Sequence, residues 1–148
     1  MALHSACPAA KRPVSLLLVA GTEDPLVPYG GGEVGFKRRR DRGAVIAMEE
    51  VISYWRAADG LADEPRSEKL PHLDSSDPTT ATRLTWGAPQ GPQVVFVAVK
   101  GGGHQEPSPT ARGGWLYTKL VGPQSGDYES ADESWAFFKT KTLLDAKP

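Results

Sequence analysis

The apolar and polar positions divide this chain into short buried strands, two amphipathic helices and long irregular connections. Residues 15–19 follow Pro13, carry apolar side chains on both faces and run into Gly21-Thr22-Glu23-Asp24-Pro25. A short run with no polar face predicts a central strand of a parallel sheet covered by helices. The prolines and glycines of residues 24–32 forbid a helix and predict an exposed loop. Within residues 43–59, Val45, Met48, Ile52 and Trp55 recur at spacings of three, four and three, one helical stripe. Gly60 is its predicted left-handed stop and Asp41 its candidate start.

Residues 61–78 hold prolines and charges without a period and predict a loop. Residues 79–86 alternate and are β-branched, and residues 93–99, Gln-Val-Val-Phe-Val-Ala-Val, are the strongest strand signal in the chain. The Gly87-to-Pro92 segment suits a turn. A long loop is expected to about Asp127, and residues 130–144 place Ala131, Trp135 and Phe138 on the stripe of a closing helix. Residues 1–12 are an irregular lead-in, and the chain reads as opening inside a loop, so that part of the fold is expected upstream.

Composition narrows the picture. The chain has 148 residues, enough for one domain and one core. Its 39% hydrophobic content, with four each of Trp, Tyr and Phe, excludes a wholly disordered chain. Sixteen glycines and thirteen prolines demand many turns. A net charge of −1 lacks the basic field on which non-specific nucleic-acid binding rests, so no nucleic-acid partner is expected. No apolar run approaches the roughly 18 residues of a membrane span, and no membrane association is expected. The single cysteine, Cys7, has no internal partner and says nothing about compartment. Lys11 and Arg12 ahead of residues 14–20 loosely imitate an export signal, but that run reads better as the strand.

Two side chains stand out by placement: Asp24 just after one buried strand and His104 just after another, presented by Gly101-Gly102-Gly103. In α/β sheets, ligands bind beyond the carboxyl ends of the strands, where adjacent loops bring distant residues together. A carboxylate that accepts a hydrogen bond from one imidazole nitrogen leaves the other as a general base. An aspartate before proline also serves as a turn-former, and a histidine after glycines as a plain loop residue; spacing alone does not separate these readings.

The wider segments carry a resemblance. Residues 13–29, containing Leu16-Leu17-Leu18-Val19-Ala20-Gly21-Thr22-Glu23-Asp24-Pro25, resemble the acid-bearing strand and loop of the polyhydroxybutyrate depolymerase and feruloyl esterase family of α/β-hydrolases. Val95-Phe96-Val97-Ala98-Val99-Lys100-Gly101-Gly102-Gly103-His104-Gln105-Glu106-Pro107 is similar to the strand and glycine loop that present that family's histidine. The helix ending in Tyr54-Trp55-Arg56 and the last helix fall in the same order, so the likeness covers nearly the whole chain. By this resemblance Asp24 and His104 take the roles of triad acid and base, and the substrate is a polyester, a hydroxyacid oligomer or a feruloyl-type ester. Family members are usually exported, yet the chain shows no convincing signal and its location is left open.

The family's GxSxG nucleophile elbow is absent from this chain, as is the preceding oxyanion loop. Loss of the nucleophile costs about 10⁶-fold in turnover in a comparable triad. Ser5, Ser15, Ser108 and Ser125 lie in the wrong contexts, with Ser108 the nearest to a stand-in. The expected fold is therefore the carboxyl-terminal half of a doubly wound α/β-hydrolase sheet, a single half-domain over residues 1–148 completed by self-association as a homo-oligomer. The rival reading is a non-catalytic hydrolase remnant that binds or dimerises. Tyr29 and Trp115 are the candidate substrate contacts. Lys37-Arg38-Arg39-Arg40-Asp41-Arg42 reads as a solvated loop. His4 and His72 lack metal-ligand spacing with Cys7 or His104, so no metal is assigned, and no cofactor is expected.

Overall fold

The computed structural model describes residues 12–35 and 42–141. Asp41 as a helix start, residues 37–41 of the basic run, His4, Ser5, Cys7, nearly all of the lead-in and the helix end at Leu144 lie outside these residues.

The elements run β1 (Leu16–Gly21), β2 (Gly32–Glu33), β3 (Ala44–Val45), α1 (Met48–Ala58), β4 (Arg66–Lys69), β5 (Thr80–Trp86), β6 (Val94–Lys100), α2 (Trp115–Val121) and α3 (Ser130–Phe138). The main sheet has the order β1-β6-β5-β4, with β1 parallel to β6 and the other neighbours antiparallel. The protein is thus mixed α/β, and the parallel sheet that residues 15–19 predict is corrected to a mixed one. Connection length explains this. The turn between β5 and β6 permits only a hairpin, whereas the long connection through α1 allows β1 and β6 to run in parallel. Gly87, at φ +82°, makes that hairpin possible, because a side chain there would meet the Pro92 carbonyl.

Alternation along β6 builds two cores. Val94 and Phe96 face α1 and pack with Leu18, Val51, Ile52 and Trp86. Val97 and Val99 face the other way and pack with Ala81 and Tyr128. In α1, Ile52 is buried and Met48 and Trp55 pack against the first core, as the stripe predicts. Val45 instead belongs to β3, where pairing with Gly32 takes it out of the helix. Gly60 closes the helix at φ +64°.

Four further expectations are corrected. Residues 16–21 form an edge strand, not a central one, because β1 pairs only with β6 among the described residues. Part of the expected 61–78 loop is β4, whose exposed Arg-Ser-Glu-Lys has no apolar period; it becomes a strand by pairing with β5, helped by Glu68 against Arg83 at 3.3 Å. The loop after His104 contains α2, whose Trp115, Leu116, Tyr117 and Leu120 are all exposed, so no buried stripe marks it. In α3, Trp135 and Phe138 of the expected core stripe are exposed. Polar anchors turn a different face inward: the Ser130 N–H donates to the Pro107 carbonyl at 3.1 Å, and Arg83 pairs with Glu133.

No helix among the described residues is long and apolar enough to cross a membrane.

Candidate active site

Asp24 and His104 converge at the carboxyl ends of the parallel pair β1 and β6. Beyond β1 the chain stays on its neighbour: Thr22 N–H donates to the Val99 carbonyl at 3.0 Å and Glu23 N–H to the Gly102 carbonyl at 2.9 Å. Asp24 then closes a turn, its Oδ1 accepting the N–H groups of Leu26 at 2.8 Å and Val27 at 2.9 Å. Its Oδ2 lies 2.7 Å from His104 Nδ1. The turn-forming and histidine-orienting roles are therefore held by the same carboxylate, one oxygen each.

The glycine loop makes the approach possible. A Cβ on Gly21 would run into the Gly102 carbonyl, and one on Gly103 into the Val121 carbonyl and Gly122. Gly101 sits at φ +74° and donates its N–H to Thr22 Oγ1 at 2.9 Å. His104 N–H donates to the Val121 carbonyl at 2.7 Å, and Gln105 Nε2 to the Gly122 carbonyl at 2.6 Å. The end of α2 thus clamps the histidine backbone.

The His104 side chain is 46% exposed and that of Asp24 only 11%. A sheltered carboxylate on Nδ1 holds that nitrogen as the donor, which leaves Nε2 as the basic one. Both residues line a cavity of about 470 Å³, bounded by β1, the loop of Tyr29, residues 103–107 and α3. Tyr29 lines this cavity and its ring lies 6.1 Å from that of Phe96. Burial pushes its phenol above the ordinary range, with Glu49 adding to the effect, so it faces the cavity as a neutral hydroxyl.

Trp115 is 77% exposed at the start of α2 and does not line the cavity. Ser108 is buried away from it: its hydroxyl donates to Glu129 Oε2 at 2.6 Å and accepts the Ala111 N–H at 2.8 Å. It serves as a turn brace, which corrects its candidacy as nucleophile. Ser125 is also buried and accepts the Asp127 N–H at 3.4 Å, and Ser15 accepts the Gln93 N–H at 3.2 Å.

The cavity holds two hydroxyls that sequence reasoning missed, Ser130 and Ser134 of α3. Ser130 lies 3.5 Å from Glu106 Oε2; the Ser134 hydroxyl has no such partner among the described residues. Their one signal was the four-residue spacing that puts both on one helix face. A second imidazole–carboxylate pair also went unseen. His72 Nδ1 lies 3.0 Å from Asp127 Oδ1, which also accepts the Leu73 N–H at 3.1 Å. This pair lies outside the cavity and ties the 70–78 segment to the approach of α3.

No group of three His, Cys, Asp or Glu side chains able to hold a metal ion occurs among the described residues. Compared with family models, curated proteins and solved structures, the chain matches none.

Proposed function

We propose that this chain is a carboxylic ester hydrolase of the polyhydroxybutyrate depolymerase and feruloyl esterase type, with His104 as general base and Asp24 as its carboxylate partner. The observation that carries the reading is the 2.7 Å approach of Asp24 Oδ2 to His104 Nδ1 on the wall of an open cavity. In this mechanism His104 Nε2 takes the proton of an attacking hydroxyl while Asp24 stabilises the imidazolium. The hydroxyl oxygen bonds to the ester carbonyl carbon, His104 returns the proton to the departing alkoxide, and water then hydrolyses the acyl-enzyme by the same base.

Without a GxSxG elbow, the hydroxyl comes from an unusual place. Ser134 is the candidate within the described chain, because it shares the cavity with His104 and is not spent on a brace. A fluorophosphonate probe tests this: the wild-type chain is expected to carry one phosphonyl adduct, mapped by peptide mass spectrometry to Ser134 and abolished in His104→Ala. An adduct on any other serine rules out Ser134, and no adduct at all under conditions of ester turnover rules out a serine acyl-enzyme.

A second reading, a binding or dimerisation module, is favoured by the open edge of β1. Leu16 and Thr22 direct their N–H groups to β6, so the backbone groups of Leu17, Val19 and Gly21 point away from the sheet. That edge carries no charge or proline to discourage pairing. The expected partner is a second copy of the chain. Sedimentation is expected to show a dimer for the wild-type chain and a monomer for Val19→Lys, Val19 being 38% exposed on that strand. A wild-type monomer at all accessible concentrations contradicts self-association.

A further inference from the structure

A second chamber of about 320 Å³ lies between α3 and the face of the sheet opposite α1. One row of paired residues crosses its floor: Leu17 on β1, Val95 on β6, Thr85 on β5 and Arg66 on β4. Residues opposite one another in a sheet share a face, so the row runs from apolar side chains to a guanidinium. Leu17, Val19 and Ser130 line this chamber and the His104 cavity alike, so the two spaces adjoin.

The charges along this path are unequal. Asp24 and Glu106 line the cavity at the His104 end, where no Lys or Arg of the described residues does. In the chamber, Arg83 is held between Glu68 and Glu133, but Arg66 pairs with no carboxylate among the described residues. Lys141 adds a second positive charge at that end, its ammonium donating to Oε1 of Gln93 on the chamber wall at 2.6 Å. An anion is therefore repelled at the imidazole end and attracted at the Arg66 end, where a guanidinium offers two parallel N–H groups to a carboxylate. Arg66 lies level with Val95, and the His104 loop leaves the sheet beyond Val99. At about 3.3 Å per strand residue the two ends stand about 13 Å apart, the span of about ten extended methylenes.

We infer that this chamber is a subsite for an aliphatic arm that ends in a carboxylate, held by Arg66. The inference rests on the ester-hydrolase reading, since it makes that arm part of the ester cleaved at His104 and favours esters with a distant free carboxylate over neutral ones. Leu17, Val95 and Val97 hold the methylenes by excluding water, as in other small-molecule sites where a few polar groups fix orientation. Arg66 is exposed at the open end, so its pull on the carboxylate is modest and screened by salt.

Two ketones that contain no ester separate this inference from turnover. Oxodecanoate, with its ketone beside the far methyl, carries a carboxylate at the other end; its primary amide has the same chain and no charge. Each is titrated into the full chain and followed by the methyl resonances of Val95 and Val97 and the ring resonance of His104. Both ligands are expected to move all three residues, and the keto acid to bind about three- to fivefold more tightly than its amide, the upper range for an exposed ion pair. Arg66→Gln is expected to erase that difference while leaving the affinity for the amide unchanged. Lys119→Gln, which removes a charge from α2 outside the chamber, is expected to keep it. The inference is overturned if neither ligand moves the valine methyls, if they move while the His104 ring does not, or if the wild-type chain does not prefer the keto acid. It is equally overturned if the preference survives in Arg66→Gln or vanishes in Lys119→Gln. None of these outcomes needs ester cleavage, and p-nitrophenyl butyrate has no carboxylate arm, so this inference and the hydrolase reading fail separately.

Discussion

Asp24→Asn is expected to lower the turnover of p-nitrophenyl butyrate by about 10⁴-fold, the cost of the equivalent change in serine-protease-type triads. The substitution isolates chemistry from folding because the two carboxylate oxygens have separate duties. Oδ1 accepts the N–H groups of Leu26 and Val27, and an asparagine carbonyl does this equally well. Oδ2 faces His104 Nδ1, and there the amide NH₂ replaces an acceptor with a donor. Nδ1 must then accept, which moves the imidazole proton to Nε2 and removes the base. The thermal midpoint should stay near that of the wild-type chain while turnover collapses. A variant that keeps turnover within tenfold would show that the carboxylate does not orient the histidine.

The second large effect is on stability. Phe96→Ala is expected to cost about 3–5 kcal/mol, read as a lower urea midpoint with an unchanged slope. Domains of this size hold only about 5–15 kcal/mol in total, so the variant should sit near unfolding. Phe96 is 1% exposed at the centre of the first core, packed with Leu18, Ile52 and Trp86 and contacting the ring of Tyr29. It lies on the strand that delivers His104, so any residual folded fraction should also lose ester cleavage. A loss below about 1 kcal/mol is well short of a truncated core aromatic and would contradict this packing.

Local pattern revealed some elements and not others, for physical reasons. The strands β5 and β6 were legible because Val, Phe and Thr at alternating positions reflect burial on the faces of one sheet. The strand β1 was legible as a strand, but not as an edge: Leu16, Leu18 and Ala20 pack in the first core and Leu17 and Val19 line the cavity beside α3, so both faces are apolar although one edge has no partner among the described residues. The charged residues of β4 become a strand only through their partners on β5, which no local period records. In α3 the Arg83–Glu133 pair and the Ser130 anchor override the apolar stripe, so Trp135 faces water.

The site divides in the same way. Asp24 and His104 stood out because each follows a buried strand, and the parallel register of Gly21 with Val99 brings their loops together. Nothing local marks Ser134 or Arg66. Their interest arises from tertiary placement alone: one shares a cavity with an imidazole distant in sequence, and the other faces a chamber with apolar walls from the far strand of the sheet.

The most direct measurement is the rate of p-nitrophenyl butyrate hydrolysis by the purified chain and by His104→Ala, compared at equal folded concentration. Measurable turnover is expected in the wild-type chain, with a loss of at least about 10²-fold in the variant, the lower bound for a general base. Turnover that survives unchanged without the imidazole, or none in the wild-type chain, would overturn the assignment of His104 as the base.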